Sequence, residues 1–166
     1  GMGRRGTAVA LRAYYGFGMK VAYFNRSKIS VQRIPGAQSM DTIEDLMETS
    51  DIISLHCPGG EANHGLISAS RIALMKPTAY LINAGRGDLV DEPALIAALE
   101  SGAIAGAGLD VFAHEPYVPP ALRALNNVCL LPHIGSATVE TRTDMGMTAV
   151  ANLLAHFKGT PPPNKV

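Results

Sequence analysis

The chain has no tryptophan, few aromatic residues of any kind, two cysteines, and no excess of either sign of charge. Each shortage removes a class of function. Lys and Arg number 14, Asp and Glu also 14, so the formal net charge is zero. No stretch interleaves basic with aromatic residues either, which argues against a nucleic-acid footprint, since that needs a basic face and stacking rings. No apolar run reaches the length of a membrane span, and no signal-peptide pattern opens the chain. Cys57 and Cys129 lie far apart, each in an apolar, strand-like run. They read as two reduced core thiols of a cytoplasmic protein rather than a disulfide or a metal pair. The 5 histidines are scattered without metal-ligand spacing, so no metal is expected. Apart from a proline-rich end, Thr160 to Asn164, there is no repeat or low-complexity tract. What remains is a chain of 166 residues, 47% hydrophobic and 17% charged: one domain with enough apolar sequence for a real core.

The stretch Leu81-Ile82-Asn83-Ala84-Gly85-Arg86-Gly87-Asp88-Leu89-Val90-Asp91 carries the most information. Ala79 to Ile82 reads as a short strand buried on both faces. It stops at Asn83, and two glycines then bracket one arginine, where glycine lets the backbone turn tightly and approach a ligand. Asp91 is placed to cap a helix with Pro93 in its first turn, where a missing N–H costs nothing. A strand, a glycine turn bearing one charge, and a helix mark the strand edge where open α/β sheets bind ligands. Arg86 is therefore a candidate site residue, the plainer alternative being an arginine salt-bridged at the surface.

Earlier in the chain, Gly1-Met2-Gly3-Arg4-Arg5-Gly6 fits the G-x-G-x-x-G fingerprint of a dinucleotide pyrophosphate on a helix N-terminus. Ala8, Val9, Leu11, Arg12 and Tyr15 give the following helix an apolar face, ending near Gly16-Phe17-Gly18. No strand precedes the first glycine, and Gly1-Met2 is equally readable as a tag remnant followed by an initiator methionine. Val21 to Phe24 is a strand, and Asn25-Arg26-Ser27-Lys28 follows at its end. In dinucleotide folds this position, about 20 residues past the glycines, meets the adenosine ribose. An acid there selects the free 2′-hydroxyl, whereas two cations with small polar neighbours favour NADP over NAD; an ordinary basic loop is the alternative.

Gln38 to Met40 reads as a weak strand, and Asp41 as the cap of a helix with Glu44 completing a capping-box pattern. Ile52 to Cys57 is a buried strand ending in Pro58-Gly59-Gly60, a turn that either exposes amides near a ligand or is plain turn chemistry. His56 within it reads as a satisfied core histidine. A short helix around Ala69 to Met75 precedes the Tyr80 strand. Helix Glu92 to Ser101 ends at Gly102. The small-residue strand Ala105 to Val111 ends with Asp110, with Glu115-Pro116 close behind. After Pro119-Pro120 and a short helix, Val128 to Leu131 is a last strand, ended by Pro132-His133-Ile134-Gly135-Ser136, and a long helix runs from Thr138 to Phe157. Successive strand ends thus offer Arg86, then Asp110 and Glu115, then His133, and parallel strands put such ends on one edge of the sheet. A histidine beside a carboxylate suits a general acid near neutral pH. An arginine adds a planar fork for a carboxylate. With a dinucleotide, that set describes hydride transfer to a 2-keto acid; three unrelated strand-end charges are the alternative.

These residues resemble the cofactor-binding domain of the D-isomer-specific 2-hydroxyacid dehydrogenases. The resemblance rests on Gly3-Arg4-Arg5-Gly6, Gly18 to Val21, Leu55-His56-Cys57-Pro58, Asn83 to Glu92, Gly108 to Phe112 with Glu115-Pro116, and Leu131 to Thr138, in the family's order. It implies that His133 protonates the keto oxygen, that Glu115 orients and polarises His133, and that Arg86 binds the substrate carboxylate and carbonyl. It also implies cofactor contacts from Gly3, Arg4, Arg5, Gly6, Asn25, Arg26, Ser27, Cys57, Pro58, Ala84, Gly85, Arg86, Asp110, His133 and Gly135. Glutamate rather than glutamine as the histidine's partner argues against the formate dehydrogenase branch. The Asn25-Arg26-Ser27 turn is similar to the NADPH-preferring glyoxylate and hydroxypyruvate reductases.

Three departures stand out. Arg5 replaces a usual aliphatic residue. Gly59-Gly60 replaces the commoner leucine-threonine, which is expected to loosen that loop. The family's substrate domain and the first, central strand of its nucleotide fold are also missing.

The expected fold is α/β: a Rossmann-like, doubly wound parallel sheet in a three-layer αβα arrangement, lacking its first strand. Residues 1–157 are expected to form an NAD(P)-binding domain and 158–166 the start of a C-terminal return segment. The expected function is oxidoreduction between NADP or NAD and a small 2-keto or D-2-hydroxy acid such as glyoxylate or hydroxypyruvate, in a homodimer. These 166 residues alone are expected to be inactive, because closure of two domains excludes water and aligns the hydride. The alternative is a dinucleotide-binding regulatory or interaction module on the same scaffold.

Overall fold

The computed structural model describes residues 1–27 and 33–164; Lys28, Lys165 and Val166, on which parts of the sequence reading fall, lie outside the described residues. The chain forms two compact units, Gly1–Pro132 and His133–Val166.

The first unit opens with helix α1 (Arg4–Phe17), which starts at Gly3 and ends at Gly18 with φ 65°, a left-handed stop that glycine takes without strain. Its buried positions are Gly6 and Ala10, with Leu11 and Tyr14 partly buried against the same cluster. Val9 and Tyr15, expected on the apolar face, point outward instead. The helix seats on its smallest residues, which allow a close approach. Strands β1 (Ala22–Tyr23) and β2 (Gln38–Ser39) pair in parallel.

Helix α2 (Ile43–Thr49) starts one residue later than expected. Thr42, not Asp41, is the cap, and Asp45, not Glu44, closes the box: Asp45 N–H donates to Thr42 Oγ1 at 3.0 Å and Thr42 N–H to Asp45 Oδ2 at 3.2 Å. Glu44 is taken by Arg71, whose Nε lies 2.8 Å from its carboxylate.

The main sheet is four parallel strands in sequence order: β3 (Ile52–Leu55), β4 (Tyr80–Asn83), β5 (Gly106–Leu109) and β6 (Val128–Leu130). Helices α3 (Ala69–Ile72), α4 (Glu92–Glu100) and α5 (Pro120–Ala124) make the crossovers that parallel pairing requires. The register aligns Leu55 with Asn83, Asn83 with Leu109, and Leu109 with Leu130, so the carboxyl ends of all four strands lie along one edge. The fold is thus α/β and Rossmann-like, as the sequence implied. Strands β1 and β3 do not pair, and the break falls where doubly wound order places the strand entering a glycine turn.

The core lies under β3–β5, where Met47, Ile67, Leu81, Leu89 and Leu95 are each at most 1% exposed. Burial of each such side chain contributes about 1.5–3 kcal/mol. Strand β4 is buried on one face only: Leu81 and Asn83 are sealed, whereas Tyr80 is exposed and its ring lies over Gly106 of the next strand. Nor are both cysteines core thiols. Cys57 is half-buried just past β3, and Cys129, on the edge strand β6, is exposed. In the second unit, Thr138 caps helix α6 (Val139–Phe157), whose residues include none that are buried.

Candidate active site

The glycine turn and the ends of β1 and β3 enclose a cavity of about 460 Å³. Gly1 and Gly3 line it on one side, Phe24, Asn25, Arg26 and Ser27 on another, and Ser54 to Pro58 on a third. Asn25 ties these walls together: its Oδ1 accepts from Met2 N–H at 3.1 Å, and its Nδ2 donates to the Ser27 carbonyl at 2.9 Å. The turn has the form of an anion cradle. A Cβ at Gly6 would collide with the Gly1 carbonyl oxygen, so the turn closes only around glycine. A Cβ at Gly3 would meet nothing within 4 Å, so the space ahead of the helix is open. Gly3 offers no side-chain cap, leaving the first N–H groups of α1 for a ligand. Arg4 and Arg5 are both exposed beside it. These residues fit a dinucleotide. A second hollow, against Leu11, Tyr15 and Phe17, lies at the other end of α1, away from the strand ends.

His56 lies on the cavity wall just past β3 rather than inside the strand, with its Nε2 2.9 Å from Ser54 Oγ. Burial, and after it the charge of Arg5, holds its pKa below the ordinary 6.5, so it favours the neutral form.

Asn83, at the end of β4, builds the arginine turn. Only 1% exposed, it accepts from Gly85 N–H at 3.0 Å and donates from Nδ2 to the Arg86 carbonyl at 2.9 Å. Neighbouring loops press in on both sides. Gly87 lies so close to Phe112 that a Cβ would collide with its carbonyl, and Gly59 packs against the Arg86 side chain. Gly60 N–H donates to Asp88 Oδ2 at 2.7 Å. The loop expected to be loosened by Gly59-Gly60 is therefore anchored. Arg86 itself stays exposed, with Nη1 donating to the Gly85 carbonyl at 2.7 Å.

The third strand end is held in the same way. Asp110, 6% exposed, donates its N–H to the Asn83 carbonyl at 2.9 Å, linking the ends of β4 and β5. Glu115 Oε1 accepts from Phe112 N–H at 3.1 Å, and Glu92 Oε2 accepts from Ala113 N–H at 3.2 Å. The structure thus brings together, on one edge of the first unit, the expected residues Cys57, Pro58, Ala84, Gly85, Arg86, Asp110 and Glu115. His133 and Gly135 belong to the second unit. His133 has φ 56°, the one positive value at a non-glycine position among the described residues. The sequence reading missed Asn83, Asp88 and Glu92 as parts of the site. The signal for Asn83 was its place where the apolar run stops before a glycine turn, a position at which Asn side chains bond to nearby backbone.

The family model for the NAD-binding domain of D-isomer specific 2-hydroxyacid dehydrogenases matches residues 1–135. The glyoxylate reductase of Thermococcus litoralis is 50% identical over 167 residues, covering 100% of this chain and 50% of that protein. Among solved structures, the NADPH-dependent glyoxylate/hydroxypyruvate reductase of Sinorhizobium meliloti, in complex with NADP and malonate, aligns with TM-score 0.88 at 42% identity, over 95% of this chain and 48% of that one. The holo D-mandelate dehydrogenase of Rhodotorula graminis aligns with TM-score 0.94 at 33% identity, over 100% of this chain and 50% of that one. The chain spans about half the length of the curated relatives it matches.

Proposed function

This chain belongs to the D-isomer-specific 2-hydroxyacid dehydrogenase family, within its NAD-binding domain, and from that premise we propose that it serves the reduction of small 2-keto acids, such as glyoxylate or hydroxypyruvate, to D-2-hydroxy acids. The observation that carries the reading is the arginine turn: Arg86 is exposed at a strand end while Asn83, Gly59 and Phe112 fix the backbone around it. A cation held in that way is prepared to meet a carboxylate without first being ordered.

When bound, the dinucleotide supplies the hydride. Gly3, Arg4, Arg5 and Gly6 hold the pyrophosphate at the start of α1, and Asn25, Arg26 and Ser27 meet the ribose, with Arg26 favouring a 2′-phosphate and hence NADP. Cys57, Pro58, Ala84, Gly85, Asp110 and Gly135 complete the cofactor contacts, and residues 1–157 make up the binding domain. Arg86 binds the substrate carboxylate and steadies the carbonyl. His133 delivers the proton to the keto oxygen, and Glu115 orients and polarises it for that step.

The test is a chimera in which this chain replaces the matched half of the Thermococcus litoralis glyoxylate reductase. It is expected to oxidise NADPH on addition of glyoxylate, and His133→Gln to lower kcat by about 100-fold or more with NADPH affinity kept. A chimera that folds and turns over equally well with His133→Gln would remove His133 from its role, and one that binds NADPH without any turnover would favour a binding module.

A further inference from the structure

The two glycines after Pro58 are tied to the arginine turn. The bond from Gly60 N–H to Asp88 Oδ2, at 2.7 Å, lies in the charge-assisted range. Gly59 occupies a notch: a Cβ there would sit 2.7 Å from Asp88 Oδ1 and 2.8 Å from both Cβ and Cγ of Arg86. Asp88 Oδ1 is shut off from solvent and has no hydrogen-bond donor among the described residues. A carboxylate oxygen left that way is costly to bury, so it is the packing of the loop that holds it there, and the side chain packed on the same glycine is the stem of Arg86. Loop, carboxylate and arginine stem therefore form one packed unit, with Gly87 pressed against Phe112 as a further stop.

We propose that Asp88 is a positioning residue for Arg86: its carboxylate latches the Pro58–Gly60 loop against the arginine stem and so fixes the direction from which the guanidinium meets a substrate carboxylate. This rests on the role proposed above for Arg86. The bare backbone of Gly59 is part of the device, because any side chain there displaces either the carboxylate or the stem. Loop and turn come from different crossovers, 28 residues apart, so the latch also couples the cavity wall at Pro58 to the substrate end of the site.

The test is an NMR titration of the 166-residue chain with oxalate as the carboxylate probe, following the Gly60 amide and the Arg86 Nε–H group. Asp88→Ala is expected to move both resonances and to weaken oxalate binding about tenfold, with NADPH affinity within twofold of the parent. Asp88→Asn keeps an acceptor for Gly60 N–H and is expected to restore most of the affinity, which a merely structural loss would not allow. Gly59→Ala is expected to weaken oxalate as Asp88→Ala does. Unchanged oxalate affinity in Asp88→Ala, while Arg86→Gln abolishes binding, overturns the latch and leaves Arg86 in its role. Parallel loss of oxalate and NADPH binding in Asp88→Ala overturns it in favour of general unfolding. If Arg86→Gln leaves oxalate binding intact, the role of Arg86 itself falls, and the latch with it.

Discussion

Asn83 satisfies two backbone groups at once, and both belong to the turn that presents Arg86. Gly85 is buried, so its N–H finds no water if the amide side chain is removed, whereas the Arg86 carbonyl still accepts from Leu89 N–H at 3.3 Å. A buried backbone group stripped of its partner costs about 1–3 kcal/mol, so Asn83→Ala is expected to lower stability by about that amount in urea unfolding. Asn83→Asp should not rescue it. The carboxylate still accepts from Gly85 N–H, but it meets the Arg86 carbonyl oxygen with a second acceptor and buries a charge. An Asn83→Asp variant as stable as the parent would show that the turn is held by its packing against Gly59 and Phe112 instead. Arg86, Asp110 and Glu115 were legible in the sequence because each is an ionisable group at the end of a strand-like run. Asp88 and Gly59 were not, because their importance lies in a contact between loops far apart in sequence.

Among the elements, α2 isolates the value of a cap. Thr42 and Asp45 exchange backbone N–H bonds across the first turn, and Thr42→Ala removes one of them at an exposed position. A cost of about 1 kcal/mol is expected, seen as a lower urea midpoint with unchanged slope. Asp41→Ala, one residue earlier, should cost almost nothing. Equal losses in the two variants would mean that Asp41 shares the capping. The sequence reading paired Asp41 with Glu44, whereas in the structure Arg71 holds Glu44 across 27 residues and Asp45 closes the box with Thr42. The local signals around α4 did read correctly. Asp91 accepts from Ala94 N–H at 3.1 Å with a proline at the start of α4, and Gly102, just past its end, has φ 70°. Burial was harder to read, because an apolar run in β6 does not reveal that Cys129 is exposed.

At the scale of the whole first unit, the sheet is in two pieces, β1–β2 and β3–β6, and the cavity is walled by both. A ligand that touches Gly3 and Arg26 on one side and Cys57 and Pro58 on the other couples pieces that no strand pairing joins. Binding to the folded state alone stabilises by mass action, about 2.7 kcal/mol at a ligand concentration 100 times Kd. NADPH is therefore expected to raise the melting temperature and to slow amide exchange in both β1 and β3. Slowing in β3 alone would mean that the ligand does not span the gap. NADH should do the same more weakly, since Arg26 at the mouth of the cavity gains a charge-assisted partner only from a 2′-phosphate. Arg26→Ala is then expected to bring NADPH affinity down to that of NADH and to leave NADH nearly unchanged, as measured by fluorescence titration at fixed ionic strength. If both cofactors weaken equally, Arg26 contributes only to the general positive field of the cavity, and the proposed preference for NADP falls.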